Sequence, residues 1–361
     1  MTPPDAAPVR HRRPLPPSEA PARAHDWAFL DLDGVLYLGS RPVDGAARAV
    51  AAARADGMRL AFLTNNALRT PGEVAEKLRR YDVAAAEADI VTSSQAVAAV
   101  IAARHGEGAR VLVVGGEGLV AALREARVSV VDSADDEPEA VAQGFGGPDM
   151  PFSRFTEACH AIDAGAAWYA TNPDPTIPTD RGAAPGNGAA IDLLRTSTGR
   201  APFVAGKPFP PIHRLALSRT GAARPLYVGD RLDTDIAAGH HNDCDTLLVL
   251  TGVTSPADLV AAAPHERPTY IADDLRTGLL RAHPATETVD GGARCNGWTA
   301  RRSSATGLSL TGSGSALDAL RALCHAAWTA SPAAPTTLAC GDALRVVESL
   351  SAEDGTRRYR R

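Results

Sequence analysis

Three polar clusters at the ends of short apolar runs carry the side chains best suited to chemistry. Asp31-Leu32-Asp33-Gly34 follows Trp27–Leu30, and Thr64-Asn65-Asn66 follows Leu60–Leu63. Gly229-Asp230-Arg231-Leu232-Asp233-Thr234-Asp235 closes a third run that begins at Leu226. Asp31 and Asp33 lie two apart on an extended segment, so their side chains can point the same way. With Asp230 they gather three carboxylates at one edge, where like charges repel strongly unless a cation sits among them. Carboxylate oxygens are hard ligands and favour magnesium over zinc. Thr64 adds a hydroxyl, Asn65 adds amide donors and Lys207 adds a positive charge. A magnesium ion, a carboxylate nucleophile and several donors suit phosphoryl transfer.

Holding these groups together requires a sheet whose strands end at one edge. Further strands are predicted at Ile90–Thr92, Val111–Val114, Val128–Val131, Trp168–Thr171 and Thr246–Leu250. Between them, Asp44–Asp56 reads as a helix with Asp44 at the N-cap and Gly57 at its stop. Another helix starts at Thr70-Pro71-Gly72-Glu73, a capping box with proline at the first helical position. Strands alternating with helices imply an α/β fold, a parallel sheet with helices on both faces. In such sheets ligands sit beyond the carboxyl ends of the strands, where the three clusters fall.

Taken together, Asp31-Leu32-Asp33-Gly34-Val35-Leu36-Tyr37, Thr64-Asn65-Asn66, Gly206-Lys207-Pro208 and Gly229-Asp230 through Asp235 resemble the four ordered motifs of the haloacid dehalogenase superfamily. The first two forms resemble its p-nitrophenylphosphatase/phosphoglycolate phosphatase branch, and the likeness spans about residues 26–280. The resemblance implies a Rossmann-like parallel-sheet core and a phosphatase mechanism. Asp31 would attack phosphorus and form an aspartyl-phosphate. Asp33 would protonate the leaving alkoxide and then activate the hydrolytic water, the usual reversal of an acid into a base. Thr64 and Lys207 would hold the non-bridging oxygens. Mg2+ would be bound by the Asp31 carboxylate, the Asp33 backbone carbonyl and Asp230, with Asp235 acting through a bound water and Asp233 supporting the turn. Dehalogenases of the superfamily lack the second carboxylate and the related ATPases usually carry threonine there, so Asp33 favours a phosphatase.

Spacing places the substrate cover. About ten residues separate Asp33 from the helix near Asp44, too few for a domain, whereas about 140 separate Asn66 from Lys207. The expected organisation is a disordered leader over 1–25, a core from 26–106 and 203–283, an inserted α/β cap over 107–202, and a small α+β domain over 284–361. Within the cap, Ala170-Thr171-Asn172-Pro173-Asp174-Pro175-Thr176-Ile177-Pro178 and Pro185-Gly186-Asn187-Gly188 resemble the branch's segment that reaches over the active site. Asn172, Asp174 and Ile177 thereby join Thr64, Asn65, Asn66 and Lys207 as expected substrate-binding residues. Pyridoxal phosphatases of the branch tend to carry histidine where Ile177 stands; glycerol-phosphate and phosphoglycolate types carry an aliphatic residue. The resemblance therefore points to a small phosphate ester, glycerol 3-phosphate first, with phosphoglycolate or pyridoxal phosphate as alternatives. A catalytically weak regulatory or binding protein on the same fold is the alternative from another class.

Composition narrows the remaining classes. A net charge of −5 argues against a general nucleic-acid binder, and no apolar run approaches the length of a membrane span. No signal peptide is legible before Trp27, and five scattered cysteines form no zinc or disulfide pattern, which together suggest a reduced, cytoplasmic chain. Val111–Val114 with Gly115-Gly116-Glu117-Gly118 lacks the third glycine of a dinucleotide turn and reads as a strand-to-helix turn. The 37 basic residues include only two lysines, Lys77 and Lys207. Lys77 falls on an expected solvated helix face, while Lys207 stands where the resemblance places a compact ammonium. Beyond residue 284, a strand pair (Asn296–Arg301, Gly307–Thr311), a helix from Ser315 with the stripe Leu317, Leu320, Leu323 and Trp328, and a strand-like run Leu344–Glu348 are expected. This segment resembles a reduced form of the acetyltransferase-like domain of actinobacterial glycerol-phosphate phosphatases, without an acyl-CoA phosphate turn. Arg357–Arg361 reads as a solvated basic tail. Cap-mediated dimers are common in the branch, which leaves a homodimer open.

Overall fold

The computed structural model describes residues 19–179, 181–303, 307–332 and 339–353. The described residues form two compact units, one within 19–38, 42–59 and 223–353, the other within 39–41 and 60–222. Among the described residues no helix is long and apolar enough to cross a membrane.

In the first unit, four parallel strands stand in the order Tyr270–Ala272, Asp245–Val249, Pro225–Gly229, Trp27–Leu30. Their near-continuous apolar runs, such as Ala28-Phe29-Leu30 and Leu226-Tyr227-Val228, are the signature of parallel strands covered on both faces. Leu30 pairs with Val228, and the Asp31 amide donates to the Val228 carbonyl at 2.8 Å. That register brings Asp31 and Asp230 out of the sheet at the same edge.

Two helical expectations in this unit need correction. The helix after the first strand is Ala46–Ala55, and its N-cap is Gly45 at φ 73° with no side-chain cap, so Asp44 does not cap it. The expected leader over 1–25 is ordered at its end: Pro21–Ala24 forms a helical turn whose Ala22 and Ala24 are buried. Buried His25 follows, its Nε2 3.3 Å from the Asp245 carboxylate. Residues before 19 lie outside the described residues.

The C-terminal segment belongs to the same unit. Its antiparallel sheet has four strands, Thr286–Val289, Gly292–Cys295, Trp298–Arg302 and Leu308–Gly312, two more than expected. Helix Ala316–Ala330 starts at Ser315 as expected, Ser315 Oγ capping it by accepting from the Asp318 amide, and buries Leu317, Leu320 and Leu323. The run Leu344–Glu348 is not a strand but part of helix Gly341–Glu353. A five-residue apolar window fits either period; here Ala343 and Val347, four apart, are the buried pair. The core of this segment is continuous with that of the parallel sheet: Leu248, Leu250, Leu259, Val260 and Ile271 cluster with Trp298, Leu320, Leu323 and Val347. Arg321 donates through Nε and Nη2 to the Ile271 carbonyl on the outermost strand of this unit's parallel sheet, and Trp328 Nε1 donates to the Leu259 carbonyl at 3.3 Å. The tail Arg357–Arg361 lies outside the described residues.

In the second unit, Arg59–Thr64 pairs in parallel with Ile90–Thr92, Thr64 opposite Thr92. Helix Pro71–Arg80 begins with the expected capping box of Thr70 and Glu73. A five-stranded parallel sheet follows, ordered Phe203–Val204, Ala167–Ala170, Ala140–Gln143, Arg110–Val114, Ser129–Val131. Helices Phe152–Asp163 and Asn187–Thr198 bury Ala158, Ala161, Ile162, Ile191 and Leu194 against its Leu112, Val141 and Trp168. An antiparallel hairpin pairs Thr176–Thr179 with Gly182–Pro185.

Candidate active site

The first unit assembles a carboxylate cradle. Asp31, Asp230 and Asp235 each place a carboxylate oxygen within 4.8 Å of the others. Asp31 and Asp33 are half-buried on the loop that leaves the first strand, which turns tightly as the Gly34 amide donates to the Tyr37 carbonyl at 2.8 Å. Gly34 sits at φ +80°, and a Cβ there would lie 2.3 Å from the Asp230 carboxyl carbon, so no other residue fits. Asp230 is 1% exposed. Its Oδ2 accepts from the Val253 amide at 2.7 Å and its backbone carbonyl from Thr254 Oγ1 at 2.6 Å. Asp235 accepts from the Arg231 amide at 3.2 Å, and Arg231 pairs with Asp233 at 2.8 Å, which leaves Asp233 holding the turn.

The electrostatics of the cradle call for a cation. Burial, then the neighbouring charges of Asp235 and Asp31, push the Asp230 carboxyl well above the usual carboxylate range. Asp230 Oδ1, buried in this cluster, has no hydrogen-bond partner among the described residues. An unsatisfied carboxylate oxygen beside two more carboxylates is the donor set of a hard divalent cation, and Mg2+ fits it.

The second unit assembles a separate cluster around Asn65. Its Oδ1 accepts from the Lys207 amide at 2.8 Å while its Nδ2 donates to the Lys207 carbonyl at 3.0 Å. The same Nδ2 reaches both Asp174 carboxylate oxygens at 3.3 Å. Lys207 is 3% exposed, its Nζ donating to the Leu63 carbonyl at 3.1 Å. Gly206 permits this approach, because a Cβ there would lie 2.2 Å from the Thr171 carbonyl oxygen. Buried Thr64 ends its strand and accepts the Asn66 amide at Oγ1.

Not every expected substrate contact presents itself as one. Asn66 Oδ1 accepts from the Leu68 and Arg69 amides, closing the turn that carries Thr64. Asn172 is buried, donating to the Asn65 carbonyl at 2.7 Å and accepting the Asp174 amide, which makes it a brace for Asp174. Ile177 lies half-buried in the hairpin opposite Ala184. Sequence reasoning missed Ser93, whose Oγ donates to the Asn65 carbonyl at 2.9 Å, and the loop Thr251–Thr254 that grips Asp230. The loop had a legible signal: it follows an apolar strand at the same edge as the other clusters.

A model of haloacid dehalogenase-like hydrolases matches residues 28–129 and one of HAD-hydrolase-like proteins matches 204–278. The chain is 44% identical over 256 residues to the D-glycerol 3-phosphate phosphatase of Mycobacterium tuberculosis, covering 71% of each. The chain belongs to the haloacid dehalogenase-like hydrolase family. An acid sugar phosphatase of Staphylococcus haemolyticus is 37% identical over 253 residues, 70% of this chain and 94% of that protein. The crystal structure of the M. tuberculosis glycerol phosphate phosphatase in complex with magnesium superposes with a TM-score of 0.81 at 37% identity, covering 91% of this chain and 98% of that one. A model of GCN5-related N-acetyltransferase-like domains matches residues 295–350, the antiparallel sheet and its helices. This haloacid dehalogenase-like hydrolase is thus a phosphatase with an additional C-terminal domain.

Proposed function

We propose that this phosphatase hydrolyses glycerol 3-phosphate with Mg2+ bound at Asp31, the Asp33 carbonyl and Asp230, and with Asp235 behind them. The observation that carries the reading is the Asp31–Asp230–Asp235 cluster, with Asp230 and Asp235 buried and one Asp230 oxygen unsatisfied. The named activity of the M. tuberculosis relative supports the substrate. Mg2+, when bound, neutralises the three carboxylates and the phosphoryl oxygens, so that an anionic nucleophile can approach an anionic ester. Asp31 attacks phosphorus, the P–O bond to glycerol breaks, and Asp33 gives its proton to the leaving alkoxide. Asp33, now ionised, takes a proton from the water that attacks the aspartyl-phosphate, which releases phosphate and restores Asp31. Thr64 and Lys207 hold the non-bridging oxygens as charge moves onto them.

Residues 107–202 serve as the cap in this proposal, with Asp174 and Ile177 lining the substrate. Asn65 and Asn172 then act through Lys207 and Asp174 rather than on the ester itself. The five cysteines, each present as a thiol, support a reducing cytoplasm, and exposed Phe152 supports a homodimer through the cap. Phosphate release from glycerol 3-phosphate, phosphoglycolate and pyridoxal phosphate tests the substrate; the first is expected to give the highest kcat/KM. Undiminished turnover in EDTA would overturn the metal, and a higher kcat/KM for either other ester would overturn the substrate.

The lysine gives a second test. Lys207→Arg is expected to lower kcat by roughly 10²–10³-fold, the usual cost of losing one positioned donor. An arginine fork is bulkier than an ammonium, and Lys207 is enclosed. Lys77 is not simply solvated: it donates to the Gly39 carbonyl at 3.0 Å and lies 5.9 Å from the Tyr81 ring. An arginine can make both contacts, so Lys77→Arg should leave kcat and the melting temperature unchanged.

A further inference from the structure

The loop after strand Asp245–Val249 has no place in the mechanism above, yet it contacts both halves of the carboxylate cradle. Thr251 Oγ1 donates to the Gly34 carbonyl, one residue beyond Asp33. The Val253 amide donates to Asp230 Oδ2 at 2.7 Å, and Thr254 Oγ1 to the Asp230 carbonyl at 2.6 Å. Gly252 faces the same carboxylate: a Cβ there would lie 1.9 Å from Asp230 Oδ2. Although its amide turns inward, Val253 as a residue is 64% exposed.

The division of labour at Asp230 is specific. One oxygen is held by a backbone amide that cannot rotate away, and the other is left without a partner. A carboxylate fixed in this way presents one chosen oxygen, as hydrogen-bonded ligands do around bound metals. The threonine at the start of the loop applies the same constraint to the backbone that carries Asp33.

We propose that Thr251–Thr254 is the positioning loop of the Mg2+ site, with Thr251 and Gly252 as its positioning residues. Thr251 sets the backbone that follows Asp33, and Gly252 lets the Val253 amide reach Asp230 Oδ2 so that Oδ1 turns to the ion. This inference rests on the reading that Asp31 and Asp230 bind Mg2+.

Calorimetric titration of the EDTA-treated full chain with Mg2+ tests it. Wild-type protein that fails to bind Mg2+ would overturn the proposed function and, with it, the role of the loop. Given wild-type binding, Thr251→Val and Gly252→Ala are each expected to raise the Mg2+ Kd about 10–100-fold. The metal-free melting temperature of Thr251→Val should stay within a few degrees of wild type, and Thr251→Ser should bind like wild type. A Kd unchanged in both variants would overturn the inference. So would loss of a cooperative metal-free melt in both, because the loop would then be a general support of the fold.

Discussion

Asp31→Asn is expected to reduce kcat by about 10⁴-fold or more, the scale of loss when a covalent nucleophile is removed. The amide keeps the shape of the side chain but lacks the anionic oxygen that bonds to phosphorus, and no other described carboxylate occupies its position. The same substitution removes one of the three carboxylates within 4.8 Å, and with it part of what pushes Asp230 above the usual carboxylate range. Metal-free Asp31→Asn should therefore melt at a higher temperature than metal-free wild type, because like-charge repulsion at the cradle opposes folding. Phosphate-release assays and paired melts in EDTA check both expectations. A residual rate within tenfold of wild type would overturn Asp31 as the nucleophile.

Removing residues 285–361 is expected to leave a chain that does not melt cooperatively. The sequence suggests a small appended domain packed on the core, and the packing makes it one wall of a shared core. Leu248, Leu250, Leu259, Val260 and Ile271 of the sheet unit are buried in the same cluster as Leu320 and Leu323. Truncation would expose that surface, strip Arg321 from the Ile271 carbonyl and open a strand edge to other chains. A milder probe is Leu320→Ala, fully buried in wild type. It should cost about 2–5 kcal/mol and lower the melting temperature by roughly 5–15 °C. Differential scanning calorimetry checks it; a soluble truncation with the wild-type melting temperature would show that the cores are independent.

The legible part of this protein is the part that chemistry fixes by residue type and spacing. Asp31, Thr64 and Asp230 stand out because each closes an apolar strand, Asp33 because it lies two residues from Asp31, and Lys207 because it sits between glycine and proline in a chain where lysine is so rare. Asp31 and Asp230 were legible as neighbouring carboxylates because both follow apolar strands, but the third member of the cluster is Asp235 where the sequence pointed to Asp33. Asn65 was legible as a site residue but not in its role: it spends its amide on the backbone of Lys207, 142 positions away. Long-range pairing leaves no local trace in sequence. The Thr251–Thr254 loop was legible by its place after an apolar strand but not by its residue types, since threonine and glycine after a strand also spell an ordinary turn. At Leu344–Glu348 the window was too short to separate the periods of helix and strand, and at Gly45 a left-handed backbone displaced a textual cap signal.

The Asn65 clasp has a consequence for how such proteins diversify. By bonding to both the amide and the carbonyl of Lys207, one side chain ties off everything between them into a closed excursion. The entropy of closing a loop grows only as about (3/2)RT ln n, so doubling the enclosed length adds roughly 0.6 kcal/mol. The knot, rather than the cargo, fixes where the ammonium of Lys207 sits. An insert of another size or shape could be spliced between the two motifs without moving that ammonium. Selection can therefore rewrite the segment between Asn65 and Lys207 while the position of that ammonium is inherited unchanged.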